Sequence, residues 1–367
     1  MIAVKGWTLP NPPIKGRESR VESRGMRVLR RLAMSGAWLR VKGSWFLLTA
    51  IMLMSLGLFS SCEYKELCYD HNHWAEITVA FDWSKAALAD AQSMTVLFYN
   101  VANPGAEPIR YDFAGNTGGK VRLDPGTYRV VGFNEDTETI LYRNYTQPDS
   151  LEAFTRESSI EEGSQISSRA LMPRAAGTET EPVILEPDPL YAAGFDEVLT
   201  LEANDRDRSI VVTPEFRFMT LAIKINNVPN LQYTGQFGGT LSGLAAGRKV
   251  VSGELSSATA TQAFPASVVG DSTLQIEFRI FGHCPRFSEG FINNHLLTIY
   301  AILADGSQWY YTMDITEELH NAVLDETTEE IEITIDDGIP LPKPIVNGSG
   351  FQPTIDGWQS IEIEVGM

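Results

Sequence analysis

The sequence predicts an all-β fold, with β-sandwich domains that follow an N-terminal export segment. Three observations support this prediction. Apolar and polar residues alternate with the period of two that a half-buried strand requires, as in AEITVAFDW at Ala75–Trp83. Turn signals rich in Gly, Pro, Asn and Asp separate such runs at short spacings. Only Ser84–Gln92 has a helical pattern, which extends over one or two turns.

Charge divides the chain into a basic head and an acidic body. The 367 residues carry a formal net charge of −18. Residues 1–61 contain ten Lys and Arg but only two acidic residues, so the rest of the chain has a net charge of −26. Phosphate recognition needs clustered Lys and Arg, so this acidic body argues against nucleic acid as a partner.

The head has the order of a secretory signal peptide. Basic residues precede the uncharged run WFLLTAIMLMSLGLF at Trp45–Phe59, which is short for a permanent membrane helix. Ser60 and Ser61 then precede Cys62, a pattern that resembles a bacterial lipoprotein lipobox. We therefore predict cleavage between Ser61 and Cys62 and lipid attachment at Cys62, which would hold the protein on a membrane without a spanning helix. The alternative is an ordinary signal peptide with an incidental cysteine.

The first half of the mature chain contains a hairpin and several short strands. Lys120–Leu123 leads through Asp124-Pro125-Gly126 into Thr127–Phe133, as expected for a turn between paired strands. Residues 156–181 are rich in Ser, Glu and Gly and predict a long loop or linker. The other predicted strands here are Ser93–Tyr99, Thr139–Tyr145, Leu151–Thr155, Pro182–Leu185 and Glu197–Glu202.

The second half begins with a long predicted strand, Ser209–Asn226. His295–Leu303 is apolar on both faces, as in a central strand, and the Asp305-Gly306 turn folds it against Gln308–Ile315. We expect the last strand, Ser360–Val365, to close its own sheet; the alternative is that it adds to a partner's sheet edge. The remaining predicted strands are Phe237–Leu244, Arg248–Leu255, Thr261–Phe264, Thr273–Phe281 and Glu330–Ile335.

These elements predict four segments. Residues 1–61 form the N-terminal extension and signal peptide, and residues 62–73 form a lipidated tether. Residues 74–203 and 204–367 form two β-sandwich domains, with the boundary at the charged turn ANDRDR.

Catalytic motifs are absent from the sequence, so we predict that the protein is not an enzyme. No G-x-S-x-G, H-E-x-x-H, P-loop or G-x-G-x-x-G pattern occurs, and the chain has only five histidines. Acidic pairs such as Glu330 and Glu332 are better explained as the solvated face of a strand than as the carboxylates of a glycosidase. Asn204, Asp205 and Asp207 lack the spacing of an EF-hand.

Cysteines and histidines allow three interpretations. Cys68, His71 and His73 lie close together, and His283 precedes Cys284. A disulfide between Cys68 and Cys284 is compatible with an exported protein, unlinked thiols are the second possibility, and a tetrahedral zinc site is the third. Connectivity does not follow from sequence. We keep the disulfide as the candidate feature and predict no resident metal and no cofactor.

Several motifs together resemble a family of fimbrillin-like lipoproteins of Bacteroidales-type bacteria. They are SSCEYKELCYDH, FDW at Phe81–Trp83, TETILYRN, FGHCP, DGSQWYYTMDIT, IPLPKPI and GFQPTIDGWQSIEIEV. The family is a domain of unknown function related to the anchor and minor subunits of type V pili, and the resemblance covers residues 62–367.

The resemblance implies two tandem transthyretin-like β-sandwiches on an outer-membrane, surface-exposed lipoprotein with its lipid on Cys62. Relatives anchor or cap a pilus whose subunits join by strand exchange, and no catalytic residue is implied. Such pilins can be activated by cleavage after arginine, which draws attention to Arg169 and Arg174. We favour the simpler interpretation of both as ordinary arginines of an exposed linker.

Two functions from different classes remain open. The first is a lipid-anchored fimbrial accessory subunit, either anchor or tip, that acts in assembly or adhesion by β-strand addition. Its partners would be the membrane, through the lipid, and other fimbrial subunits. The second is a free-standing surface lipoprotein that binds a glycan or a host protein. Trp309, Tyr310 and Tyr311 would serve that role if exposed, although aromatic residues in paired strands more often belong to a core.

Overall fold

The computed structural model describes residues 73–168, 170–195, 197–283, 294–344 and 357–361. Nearly all regular structure in these ranges is β-strand, which confirms the predicted all-β class. Helices α1 (Ile160–Ser164) and α2 (Thr316–Asn321) are short, as are 3₁₀ turns at Trp83–Lys85, Pro148–Ser150 and Leu231–Tyr233. Within the described residues, every helix falls short of what crossing a bilayer would take.

The strands are numbered in chain order. The first twelve are β1 (Ala75–Phe81), β2 (Ser93–Asn100), β3 (Ile109–Ala114), β4 (Gly118–Leu123), β5 (Gly126–Asn134), β6 (Ile140–Arg143), β7 (Glu152–Thr155), β8 (Val183–Ile184), β9 (Tyr191–Gly194), β10 (Leu199–Leu201), β11 (Arg208–Val212) and β12 (Glu215–Phe216). The others are β13 (Met219–Ile225), β14 (Thr234–Ala245), β15 (Gly247–Lys249), β16 (Thr259–Pro265), β17 (Ser267–Val269), β18 (Thr273–Ile280), β19 (Leu296–Leu303), β20 (Gln308–Asp314), β21 (Leu324–Asp325), β22 (Glu330–Ile335) and β23 (Trp358–Ser360).

Sheets A and B enclose one apolar core. Sheet A has the order β11-β1-β4, and sheet B has the order β12-β9-β5-β2-β3, with β10 also paired to β5. Alternate residues of β1, such as Ile77 and Val79, pack against Val96 and Phe98 of β2. The predicted alternation at Ala75–Trp83 therefore has the apolar face directed into this core, as the period of two requires.

The other face of sheet B carries a second apolar cluster. Leu97 of β2 and Phe133 of β5 pack with Ala153 of β7, which belongs to sheet C (β15-β7-β6). Phe281, just beyond β18, joins the same cluster. Sheet B is thus covered on both faces, which explains why β2 is buried along six consecutive residues.

Sheets D and E enclose the largest described core. Sheet D has the order β23-β20-β19-β14-β16-β8, and sheet E has the order β17-β18-β13-β22-β21. Phe264 of sheet D stacks on Phe278 of sheet E, with ring centroids 4.4 Å apart. The central position predicted for His295–Leu303 agrees with β19, which pairs with β14 on one side and β20 on the other.

Strand pairing crosses residue 203 in both directions. After that point in the chain, β11 pairs with β1 and β12 pairs with β9. Before it, β7 pairs with β15 and β8 pairs with β16. The division into domains 74–203 and 204–367 stays a prediction, and any division has to accommodate these four pairings.

Several local predictions are wrong. The hairpin predicted between Lys120–Leu123 and Thr127–Phe133 does not form, because β4 pairs with β1 in sheet A, whereas β5 pairs with β2, β9 and β10 in sheet B. The turn at residues 124–126 therefore connects two sheets.

The long strand predicted at Ser209–Asn226 is broken into β11, β12 and β13. Pro214 lies between the first two and has no N–H for a ladder, so it interrupts the pairing. The helix predicted at Ser84–Gln92 is reduced to the 3₁₀ turn that Asp82 caps by accepting from the Ser84 N–H at 3.0 Å.

The segment predicted as a loop at residues 156–181 contains α1 and packs closely on sheet D. A Cβ added at Gly163 would lie 2.7 Å from the Ala263 Cβ, and one at Gly238 would lie 2.7 Å from the Ser164 carbonyl oxygen. Glycine at both positions therefore permits the close approach of α1 to β14 and β16.

Candidate functional site

The partly covered edge of sheet D is the candidate functional site. Among the described residues, β23 comprises Trp358–Ser360 and pairs in parallel with Gln308–Tyr310 of β20. Residues 362–367, which include most of the strand predicted at Ser360–Val365, lie outside the described residues. β20 continues to Asp314, and no other described strand pairs with its outer side over Tyr311–Asp314. Sheet edges of this kind present unpaired N–H and C=O groups that can template another strand.

The hydrogen-bond alternation identifies the groups at this edge. The Ile315 N–H donates to the His295 carbonyl at 3.0 Å, and the Leu303 N–H donates to the Ser307 carbonyl at 2.9 Å. Antiparallel pairs alternate between bonded and non-bonded, so Tyr311 directs its backbone groups toward β19 and Thr312 directs its own outward. The Ile361 N–H, which donates to the Tyr310 carbonyl at 2.9 Å, shows the same outward direction for the even-numbered residues.

One face of the edge is aromatic. Trp358 of β23 meets Tyr300 of β19 edge to face, with centroids 5.3 Å apart, and its indole N–H donates to the Ala170 carbonyl at 3.4 Å. Tyr310 and Ile302 pack on the same small cluster. The described part of β23 is therefore held by three backbone pairs and by Trp358 on this face, while Ile361, directly after the strand, packs against the core between sheets D and E.

The segment from 166 to 181 covers this face and is tied to it by polar contacts. The buried Tyr300 hydroxyl donates to the Pro173 carbonyl at 2.5 Å, and burial raises the pKa of Tyr300 to about 12. Arg174 donates to the Glu181 carbonyl at 2.5 Å. The Glu181 carboxylate in turn accepts from the Thr261 hydroxyl at 2.8 Å. Arg174 is partly buried here rather than displayed in an open linker.

The opposite face of β20 belongs to the sandwich core. Tyr311 and Met313 pack against the cluster between sheets D and E. The Trp309 indole N–H donates to the Ser307 hydroxyl at 3.1 Å. Trp309, Tyr310 and Tyr311 are all half-buried, so these three residues do not form the exposed platform that the glycan-binding alternative needs.

Several residues singled out in the sequence lie outside the described residues. They are Ser61 and Cys62 of the export signal, Cys68, His71 and Cys284 of the Cys/His set, and Arg169. Cleavage, lipid attachment and the Cys68–Cys284 disulfide therefore stay predictions.

The histidines of the proposed Cys/His set separate in the structure. His73 is exposed, whereas His283 lies close to His295 and His320. The sequence pattern does not connect His295 or His320 with His283. They come from different elements 25 residues apart, so no short spacing could have linked them.

Comparison with known proteins identifies the family. Residues 61–265, more than half of the chain, match a family described as a domain of unknown function, DUF5119. The chain belongs to the DUF5119 family. This DUF5119 protein is 24% identical over 339 residues to Fim4B of Bacteroides ovatus, described as a candidate fimbrium anchoring subunit, with 84% of this chain and 94% of that protein covered. The predicted resemblance to fimbrillin-like proteins is thereby confirmed.

One of the similar solved structures shares the fold. A candidate adhesin from Bacteroides ovatus superimposes with a TM-score of 0.52 at 20% identity and covers 78% of this DUF5119 chain and 99% of its own. The fimbrial anchor protein Mfa2 from Porphyromonas gingivalis gives a TM-score of 0.40 at 11% identity, over 71% of this chain and 90% of its own.

Proposed function

We propose that this protein is a fimbrial accessory subunit, either anchor or tip, that joins other fimbrial subunits by β-strand addition at the β20 edge. The observation that carries the proposal is the outward-facing backbone of Thr312, beyond the three residues that β23 covers. Kinship with Fim4B and with the candidate adhesin of Bacteroides ovatus supports a fimbrial or adhesive role at the cell surface rather than a catalytic one.

The edge provides both affinity and selectivity for an incoming strand. Main-chain groups at Thr312 and Asp314 would pair with an extended segment, and displacement of β23 would extend the ladder along Tyr310. Alternate side chains of that segment would meet the aromatic cluster around Tyr300 and Tyr310. Main-chain pairing would supply affinity, and this cluster would select apolar side chains.

The proposal includes a lipid anchor at Cys62 in the outer membrane. It rests on the order of basic head, apolar run and Ser60-Ser61-Cys62. The lipid would hold the acidic body at the membrane surface while sheet D receives a partner.

A native pull-down tests assembly. Tagged protein is recovered from membranes of cells that express fimbriae and is run on a denaturing gel with and without boiling. We expect strand-linked subunits to survive unboiled as a ladder and to collapse to monomers on boiling. A single monomer band without boiling would contradict strand addition and favour the free-standing surface binder.

Thr312→Pro, with Thr312→Val as its matched control, tests whether the subunits in the ladder are joined at the β20 edge. Proline removes the outward N–H but spares the pairing of β20 with β19, and edge strands tolerate proline at such positions. Valine keeps the N–H and the β-branched shape. We expect the ladder to disappear in Thr312→Pro and to persist in Thr312→Val. A ladder in both variants would show that the assembly site does not lie at the β20 edge.

Cys62→Ala separates anchoring from assembly. The variant should leave the membrane fraction, and the fibres it forms should be released into the medium. Membrane retention equal to that of the wild-type protein would contradict lipid attachment at Cys62 without affecting the proposal for β20.

A further inference from the structure

Three histidines from separate elements converge beside sheet D. His283 follows β18 and forms an isolated β-bridge with Leu244. His295 is fully buried immediately before β19, and His320 lies in α2. One nitrogen from each imidazole lies within 4.8 Å of the other two.

Hydrogen bonding orients the buried ring. The His295 Nδ1 lies 3.1 Å from the Ser242 carbonyl oxygen, which can only accept, so Nδ1 carries the proton. The His295 Nε2 therefore directs a lone pair toward His320, whose Nε2 is 3.1 Å away. An imidazole fixed by a backbone carbonyl through its other nitrogen is the arrangement that protein metal sites use to orient a ligand.

We propose that His283, His295 and His320 bind one divalent first-row transition metal ion, with Zn²⁺ as the physiological candidate. Imidazole nitrogen is a preferred ligand for Zn²⁺ and its neighbours in that row. Zn–N bonds of about 2.0–2.1 Å in a tetrahedral site place the nitrogens roughly 3.3 Å apart. His295 and His320 already meet that spacing at 3.1 Å, and the widest separation of 4.8 Å requires the ligand atoms to approach by about 1.5 Å.

The surroundings favour a cation. Asp314, Glu317 and Glu318 line an open pocket of about 760 Å³ beside His320 and give it a negative potential.

The geometry gives the ion a structural role with an accessible fourth position. The three ligands would join the segment after β18, the start of β19 and α2, which are distant in the chain. The pocket at His320 provides an entry path and room for a water molecule as the fourth ligand. The three ligands lie outside the proposed strand-addition edge, although Asp314 belongs to both the edge and the pocket, so Thr312→Pro and His320→Gln test the two proposals separately.

Cobalt titration tests the site directly. The full-length protein in detergent is stripped with a chelator and titrated with Co²⁺, whose visible absorption intensifies in a tetrahedral site. We expect one Co²⁺ per chain, displacement by one equivalent of Zn²⁺, and a rise in melting temperature with either metal. His320→Gln should weaken Co²⁺ affinity at least tenfold, on the scale seen when metal-site residues are lost.

His73→Gln is the matched control, because His73 is exposed and lies outside the cluster. It should bind Co²⁺ as the wild-type protein does. His320 is only partly buried, so its replacement is expected to fold even if His295→Gln does not. Absence of tetrahedral absorption in excess Co²⁺, or equal affinity in the wild type and His320→Gln, would overturn the proposal and leave a hydrogen-bonded imidazole cluster. Co²⁺ bound only weakly by acidic surface groups would give this equal affinity in the two proteins.

Discussion

Replacing Trp358 with alanine should release β23 from sheet D and leave the two sandwich cores folded. β23 contributes three described residues to the ladder, so the half-buried indole of Trp358, with Ile361 on the opposite face, provides most of its docking. A tryptophan buries about 150–250 Å² when fully enclosed, and half of that at about 25 cal/mol per Å² is about 2–3 kcal/mol. The edge-to-face contact with Tyr300 at 5.3 Å adds about 0.5–1.5 kcal/mol. We expect a local loss of about 2–4 kcal/mol.

Hydrogen exchange measures this loss. Since about 1.4 kcal/mol corresponds to a factor of ten, the amides of residues 358–361 should exchange roughly 30- to 1,000-fold faster in Trp358→Ala. Amides of β19 and β13 should be unchanged. Trp74→Ala is the control, because Trp74 is 41% exposed and precedes β1 of sheet A. Unchanged exchange at residues 358–361, or faster exchange throughout sheets D and E, would refute the conclusion that Trp358 holds β23 on sheet D.

Three further substitutions test the packing that supports the edge. Arg217→Met should destabilise the fold by about 3–5 kcal/mol in thermal melts, because the buried guanidinium donates to the carbonyls of residues 216, 250 and 251; equal melting temperatures would contradict this. Gly238→Ala should cost about 1–3 kcal/mol, whereas Gly235→Ala on the same strand meets only an ordinary 3.5 Å contact and should stay within about 0.5 kcal/mol; equal losses would refute the argument from close approach. Tyr300→Phe removes the hydroxyl bond to segment 166–181 and should make trypsin cleavage after Arg174 faster; an unchanged rate would exclude that tether.

Local alternation and turn chemistry predicted most strands of sheets D and E, but not the short edge strands β17 and β21. The Asp305-Gly306 turn specified the β19–β20 hairpin, and the apolar run before it gave the central position of β19. β3 was not predicted although Ile109, Tyr111 and Phe113 alternate with polar residues; the last two are partly buried and pack against the core between sheets A and B. Pro214 was the available signal for the break between β11 and β12.

The candidate sites depend on long-range pairing, which local patterns do not encode. Sequence alone indicated a strand near the C-terminus but not that β20 would be the partner of residues 358–360. Segment 166–181 is typical of a linker because its apolar residues are sparse. Ile166 and Met172 are nevertheless buried on sheet D, whereas Leu171 is exposed. The three-histidine cluster arises in the same way, from elements that the sheet topology brings together.

The most direct test of the strand-addition proposal compares single-residue amide exchange in the free subunit and in assembled fimbriae. Tyr311 and Met313 bond to β19, so their amides should be protected in both states and serve as internal references. The Thr312 amide faces outward and should exchange rapidly in the free subunit. We expect it to become protected on assembly, when a partner strand occupies the edge. A Thr312 amide that exchanges equally in both states would contradict strand addition at β20.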